Sequence, residues 1–212
     1  MIYTSMNHLL KVSIVHALMC GLVLVSCQTK APNTAAKSKN TVTKGPGKPG
    51  DKVLKPLYVT ESTEHDTDDP AIWVHPDDPS KSLIVGTDKD KEGALYVFDL
   101  KGKIQQEKTV KGLKRPNNVD IEYGLKLGGQ SVDIAVTGER LTHKLRVFQL
   151  PGMKAVDSGG IPVFEGENDT EFRDVMGISV YKRPTDGAIF AIVGRKTGPT
   201  DGTYLWQYRL ED

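Results

Sequence analysis

Leu95-Tyr96-Val97-Phe98-Asp99-Leu100, Leu145-Arg146-Val147-Phe148-Gln149-Leu150 and Leu205-Trp206-Gln207-Tyr208-Arg209-Leu210 share leucine at the first and sixth positions and an aromatic residue at the fourth, at offsets of 50 and 60 residues. Each hexad is a β-prone run, and each follows another apolar run, at Ser82 to Thr87, Ser131 to Thr137 and Ala188 to Gly194. Before those stand Ala71 to His75, Asn118 to Tyr123 and Met176 to Tyr181. Three strands thus recur in one order, and Ile104 to Val110 and Ile161 to Phe164, amphipathic and less apolar, are candidates for a fourth, outer strand in the first two units. No long stretch shows the 3.6-residue periodicity of a helix. Units of four strands repeating every 40 to 50 residues or so are the sequence signature of propeller blades. The expectation is an all-β chain built as a β-propeller, with about three blades present; a two-sheet sandwich is the competing architecture.

The repeat also carries charge. Lys89 follows Val85-Gly86-Thr87-Asp88, Arg140 follows Val136-Thr137-Gly138-Glu139, and Lys196 follows Val193-Gly194-Arg195, so a cation stands just beyond the second strand of every unit. Equivalent blade positions face one end of a propeller, which would gather three cations there. The same end receives Asp66-Thr67-Asp68-Asp69-Pro70 and Asn117-Asn118-Val119-Asp120, which introduce the first strands of their units. Carboxylates so close repel one another unless a cation sits among them, and a hard ion such as Ca²⁺ takes carboxylate and carbonyl oxygens. An anionic ligand over bound metal, with Lys and Arg as phosphate donors, is the chemistry this combination suits.

The chain outside these units reads differently. Met1 to Lys11 is polar and basic, Val12 to Val25 is apolar but shorter than the roughly 20 residues a membrane span needs, and Leu24-Val25-Ser26-Cys27 follows. This is a secretion signal, and the small residue before cysteine resembles a bacterial lipobox, with residues 1–27 as the leader and Cys27 as the lipidated residue; an ordinary cleaved signal is the alternative. Residues 28–56 hold seven lysines, one acid and scattered Pro and Gly, with almost nothing large and apolar, and read as a tether. The folded domain is expected over residues 57–212. With cleavage at Cys27 it contains no cysteine, which excludes a disulfide, a thiolate metal site and a cysteine nucleophile. It keeps 20 basic and 26 acidic residues, a net charge of −6, against +1 for the whole chain. Binding to nucleic acid through phosphate neutralisation is therefore not expected.

Some local patterns point elsewhere and are outweighed. Asp88-Lys89-Asp90-Lys91-Glu92-Gly93, with Asp99 at the twelfth place, mimics a helix-loop-helix calcium loop, but strands rather than helices flank it. Ser131, Ser158 and Ser179 lack a Gly-x-Ser-x-Gly setting. His65 and His75 have no zinc-pair spacing and suit hydrogen-bonding roles.

Asp68-Asp69-Pro70-Ala71-Ile72-Trp73, followed by Asn117-Asn118-Val119-Asp120-Ile121, resembles the paired signature of the β-propeller phytases, calcium-dependent enzymes that hydrolyse phosphate monoesters of phytate, myo-inositol hexakisphosphate. The likeness runs from about Tyr58 to the end of the chain. It implies a Ca²⁺ held by the Asp69 carboxylate with the backbone oxygens of Pro70 and Val119, and Asp68 turned to the catalytic metals. It also implies that Lys89, Arg140 and Lys196 contact substrate phosphate with help from Lys91. Met176 stands where the family carries a tyrosine, and Thr197 where it carries an acid. The family closes six blades, and its later blades bring further Asp and Glu ligands. The expectation is therefore a truncated, impaired phytase, monomeric if full length. Its location would be that of an exported lipoprotein of the outer membrane, periplasm or cell surface, touching membrane through its anchor alone. The alternative is a tethered propeller that binds a ligand without turnover and keeps calcium for structure.

Overall fold

The computed structural model describes residues 54–212. The leader, Cys27 and the tether up to residue 53 lie outside the described residues. The first repeat unit forms β1 (Thr67–Trp73), β2 (Leu83–Asp88), β3 (Gly93–Phe98) and β4 (Val110–Leu113), an antiparallel sheet in that spatial order. The second forms β5 (Pro116–Leu127), β6 (Gln130–Glu139), β7 (Lys144–Leu150) and the short β8 (Lys154–Ala155), with β9 (Ile161–Pro162) also paired to β7. The third forms β10 (Val175–Lys182), β11 (Ile189–Arg195) and β12 (Leu205–Leu210). Strands are joined to their sequence neighbours as simple meanders, the topology of a blade. Between β5 and β6 the turn is Gly128-Gly129, both at positive φ (54° and 76°), as a two-residue hairpin matching the strand twist requires.

The alternation of side chains explains how the sheets stack. On β6, Ile134 and Val136 join Leu145 and Val147 in packing against Val175, Ala191 and Val193 of the third sheet. Ala135 points the other way and, with Phe148 and Leu150, meets Trp73, Val85 and Val97 of the first. The central sheet is thus buried on both faces, which a two-sheet sandwich does not allow; three sheets lie face to face like successive blades. Within this stack β5 lies against both β1 and β10, so the first strand of each unit is the inner one. Side chains knit the blades as well. Trp73 Nε1 donates to Asp133 at 2.9 Å, and Val180 N–H donates to Asp120 at 2.7 Å.

The outer strands depart from the sequence reading. Ile104 makes only an isolated bridge to Phe98, and Gln106–Lys108 then curl into a 3₁₀ turn, so the fourth strand begins at Val110 rather than ending there. The cause is local: Gln105 offers its carbonyl to the N–H groups of Lys108 and Thr109, closing a turn in place of a ladder. In the second unit, pairing stops at Pro162, which has no N–H to donate. Val163 and Phe164 turn inward and are fully buried in the core between the second and third sheets. Their apolar character served the core, not an outer strand.

Candidate functional site

The three sheets repeat one irregularity. Thr67 pairs with Asp88, Pro116 with Glu139 and Val175 with Arg195; after each pair the inner strand advances three residues while its partner advances two. Register resumes at Pro70 opposite Gly86, Val119 opposite Thr137, and Ile178 opposite Val193. A bulge of this kind bends a strand and re-aims its side chains, and bulges gather near active sites. It makes Asp68, Asn117 and Met176 equivalent, and likewise Pro70 and Val119.

Just beyond the bulge, the same backbone bond recurs three times. The N–H of Lys89 donates to Asp66 O at 2.6 Å, that of Arg140 to Arg115 O at 3.1 Å, and that of Lys196 to Asp174 O at 2.8 Å. The three repeat cations therefore occupy one structural position, at the end where the acidic motif begins. Their partners differ. Lys89 Nζ lies 3.0 Å from Asp68 Oδ1 and 3.7 Å from Asp66 Oδ2, and Lys196 Nζ lies 3.9 Å from Asp174. Arg140 has no carboxylate partner among the described residues. It is buried, its Nε donates to Val175 O at 3.1 Å, and its Nη2 rests on the sulfur of Met176. Burial lowers the pKa of Arg140, nearby Arg115 pushes it the same way, and Asp174 and Asp68 partly oppose them. Arg140 thus feels charges from all three blades. Lys91 is not brought into this group: it is exposed in the turn between β2 and β3, with no ion pair among the described residues.

The acidic motif is positioned by backbone. Asp69 N–H donates to Thr87 Oγ1 at 2.9 Å, and its carboxylate accepts the N–H of Val119 at 3.1 Å, fastening β1 to β5. Thr87 Oγ1 in turn donates to Asn117 O at 2.8 Å. Asn117 is fully buried; its amide donates to Val175 O at 2.9 Å, and its Oδ1 has no partner. An open cleft of about 210 Å³ borders the motif, lined by Thr60, Thr63, Thr67, Asp68 and Asp69. A larger recess of about 350 Å³ lies elsewhere, against Val147 and Tyr208, and holds none of the repeat cations.

A row of buried charges that sequence reasoning passed over supports this end. Asp88, Glu139 and Arg195 close the second strand of each unit and are all buried. Asp88 accepts the backbone and ring nitrogens of His65 at 3.1 and 2.8 Å. Glu139 accepts Lys114 N–H at 2.7 Å and Thr142 Oγ1 at 2.6 Å. Arg195 bonds Glu167 at 2.7 Å and lies over the rings of Phe164 and Trp206. Aligning the units on the repeat cations would have exposed this row as the residue just before each of them.

The bond from Asp88 raises the pKa of His65 above its usual 6.5. A raised value means the protonated ring is favoured in the fold. Its stabilisation is complete below the unfolded pKa and is lost as pH rises through the folded one. Thermal melts of the wild type and His65→Gln across that window should therefore converge at alkaline pH and separate on the acidic side; curves that stay parallel would remove the pair as a source of pH dependence.

A family model described as Phytase matches residues 13–211. The chain belongs to the phytase family. It is also 33% identical over 168 residues to the 3-phytase of Bacillus subtilis (strain 168), a match covering 73% of this chain and 40% of that relative. The chain thus spans well under half the length of that relative. For a phytase-family chain the oxygen-rich motif invites the question of calcium. The carboxylates of Asp68 and Asp69 and the orphaned Oδ1 of Asn117 are oxygen donors of the kind Ca²⁺ prefers. Among the described residues, no group of three or more His, Cys, Asp or Glu side chains is arranged to hold a metal. The chemistry of these donors suits calcium, and the described residues do not assemble them into a site by carboxylates alone.

Proposed function

We propose that this chain binds and hydrolyses phosphate monoesters of phytate with the help of calcium. The observation that carries the reading is the threefold placement of Lys89, Arg140 and Lys196 at one structural position, with Arg140 buried and free of any carboxylate partner among the described residues. Asp68 and Asp69, with the carbonyls of Pro70 and Val119, would hold Ca²⁺. When bound, the ion supplies neutralisation of substrate phosphate and a more acidic water. Arg140, already desolvated, presents its guanidinium to a phosphate without first leaving a carboxylate. Lys89 and Lys196 act differently, because each must exchange a carboxylate for phosphate. Asp68, released from Lys89 in that exchange, gains a free oxygen at the moment a cation is needed beside it. Lys91, exposed in its turn, assists at the rim.

Supplied with Ca²⁺, the chain is expected to bind phytate by calorimetry and to release inorganic phosphate only weakly, and chelator is expected to abolish the release. Release unaffected by chelation would overturn the calcium reading. The alternative of a tethered binding module with structural calcium draws on the absence of a three-acid cluster among the described residues. Calcium-dependent binding without phosphate release would favour it. We further propose that Cys27 carries a lipid anchor that places the domain at a bacterial envelope surface, a reading supported by the apolar run Val12 to Val25 and the Leu24-Val25-Ser26-Cys27 stretch. Metabolic labelling with a palmitate analogue, compared with Cys27→Ser, tests that.

A further inference from the structure

At the position one residue before the inner strand, the first and third blades place an acid, Asp66 and Asp174, beside the repeat cation. The middle blade places Arg115 there instead, and its carbonyl accepts the N–H of Arg140 at 3.1 Å. Where the outer blades neutralise their cation, the middle blade doubles it. Arg115 is half-buried and forms no ion pair among the described residues. Its backbone is also held at φ 62°, a left-handed conformation that a branched-off side chain rarely adopts. Residues kept in such a conformation gather at ligand sites, where the surrounding structure holds them in place. Its own N–H is fixed by Asp90 O at 2.8 Å, which ties Arg115 to the β2–β3 turn that follows Lys89.

We propose that Arg115 and Arg140 together form a two-guanidinium subsite for a phosphate group, one that fixes which phosphate-bearing face of a polyphosphorylated ligand enters. Two neighbouring guanidiniums repel each other until a dianion lies between them, and each can fork onto its oxygens. This rests on the phosphate-binding part of the proposed function but not on hydrolysis or calcium. The subsite distinguishes ligands by charge count. A ligand with several phosphates can occupy it while others reach Lys89 and Lys196, whereas a single phosphate fills one position only.

The test uses the full chain in chelator, titrated by calorimetry with phytate and, separately, with inorganic phosphate. Arg115→Asp installs the acid of the other two blades, and Arg115→Gly removes the charge while suiting the positive φ. Both are expected to weaken phytate binding about tenfold or more and to flatten its salt dependence, as loss of a charge-assisted contact should. Arg115→Lys should fall between these and the wild type. Arg115→Gly is expected to melt no lower than the wild type, so that weakened binding is not read from an unfolded protein. Unchanged affinity in Arg115→Gly would overturn the subsite, as would failure of the wild type to bind either probe. Binding that depends on Arg115 in a chain that releases no phosphate would instead sink the hydrolytic reading and leave the subsite standing.

Discussion

Arg140→Ala is expected to lower phytate affinity about a hundredfold, as the loss of two charge-assisted hydrogen bonds would. Arg140 is the one repeat cation with no carboxylate to leave, so its full charge is available to an anion. Its stability cost should be small by comparison. Val175 O, which Arg140 Nε now bonds, keeps the Asn117 amide at 2.9 Å when the guanidinium is gone. Melting temperature and affinity should therefore separate, the first nearly unchanged and the second much reduced. Arg140→Lys should restore part of the affinity, since the charge returns but the fork does not. Calorimetry at fixed ionic strength on the three proteins decides the matter; wild-type affinity in the alanine variant would remove Arg140 from the site.

Gly138→Val should be the most damaging single change to the fold. A Cβ at Gly138 would sit 2.3 Å from Val175 Cγ1 and 3.3 Å from its Cβ. The obstacle is a short, stiff, fully buried side chain that cannot swing away. Valine there forces β6 and β10 apart, at the upper end of overpacking costs, about 3 kcal/mol. For a domain of this size the melting temperature should fall by roughly 10 °C. Gly138→Ala should lose less, and pairing it with Val175→Ala should recover stability beyond the sum of the two single changes, because the residues share one contact. Simple additivity in that double variant would show that the blades do not meet here as closely as the structure has them. Because Arg140 lies two residues along and bonds Val175, the same variants should also weaken phosphate binding.

The strands were legible because their signal is local. Most of the shared leucines and aromatics of the three hexads are buried, Leu100 and Leu205 being the exposed exceptions, and alternation along a strand does not depend on what lies opposite. The outer strands were less legible for the opposite reason. Val163 and Phe164 are apolar enough for a strand, but which surface they cover depends on the third sheet, residues away in the chain. A strand with one weak partner has little to fix it, and a proline or a short turn ends it. The candidate site divided in the same manner. Lys89, Arg140 and Lys196 stood out as a repeat of type and place, and the structure sets them at one position. Arg115 did not, since it breaks the repeat by putting a cation where its counterparts are acids. Lys91, adjacent in sequence, stays out on the turn, because neighbours two apart in a hairpin turn need not share a face.

What the sequence determined alone was the spacing of the units, the family signature from Asp68 to Trp73 and Asn117 to Ile121, and a cation after every second strand. These are properties of short segments, settled by alternation and by a turn's few residues. The tertiary structure alone decided how each charge is spent. Lys89 is drawn to Asp68 across 21 residues and Lys196 to Asp174 across 22, while Arg140 is left to Arg115, Val175 and Met176. Those pairings follow from the shared bulge and from how closely one inner strand approaches the next. The first is set by strand pairing within each sheet and the second by packing between blades, and no single stretch of the chain holds the key to either.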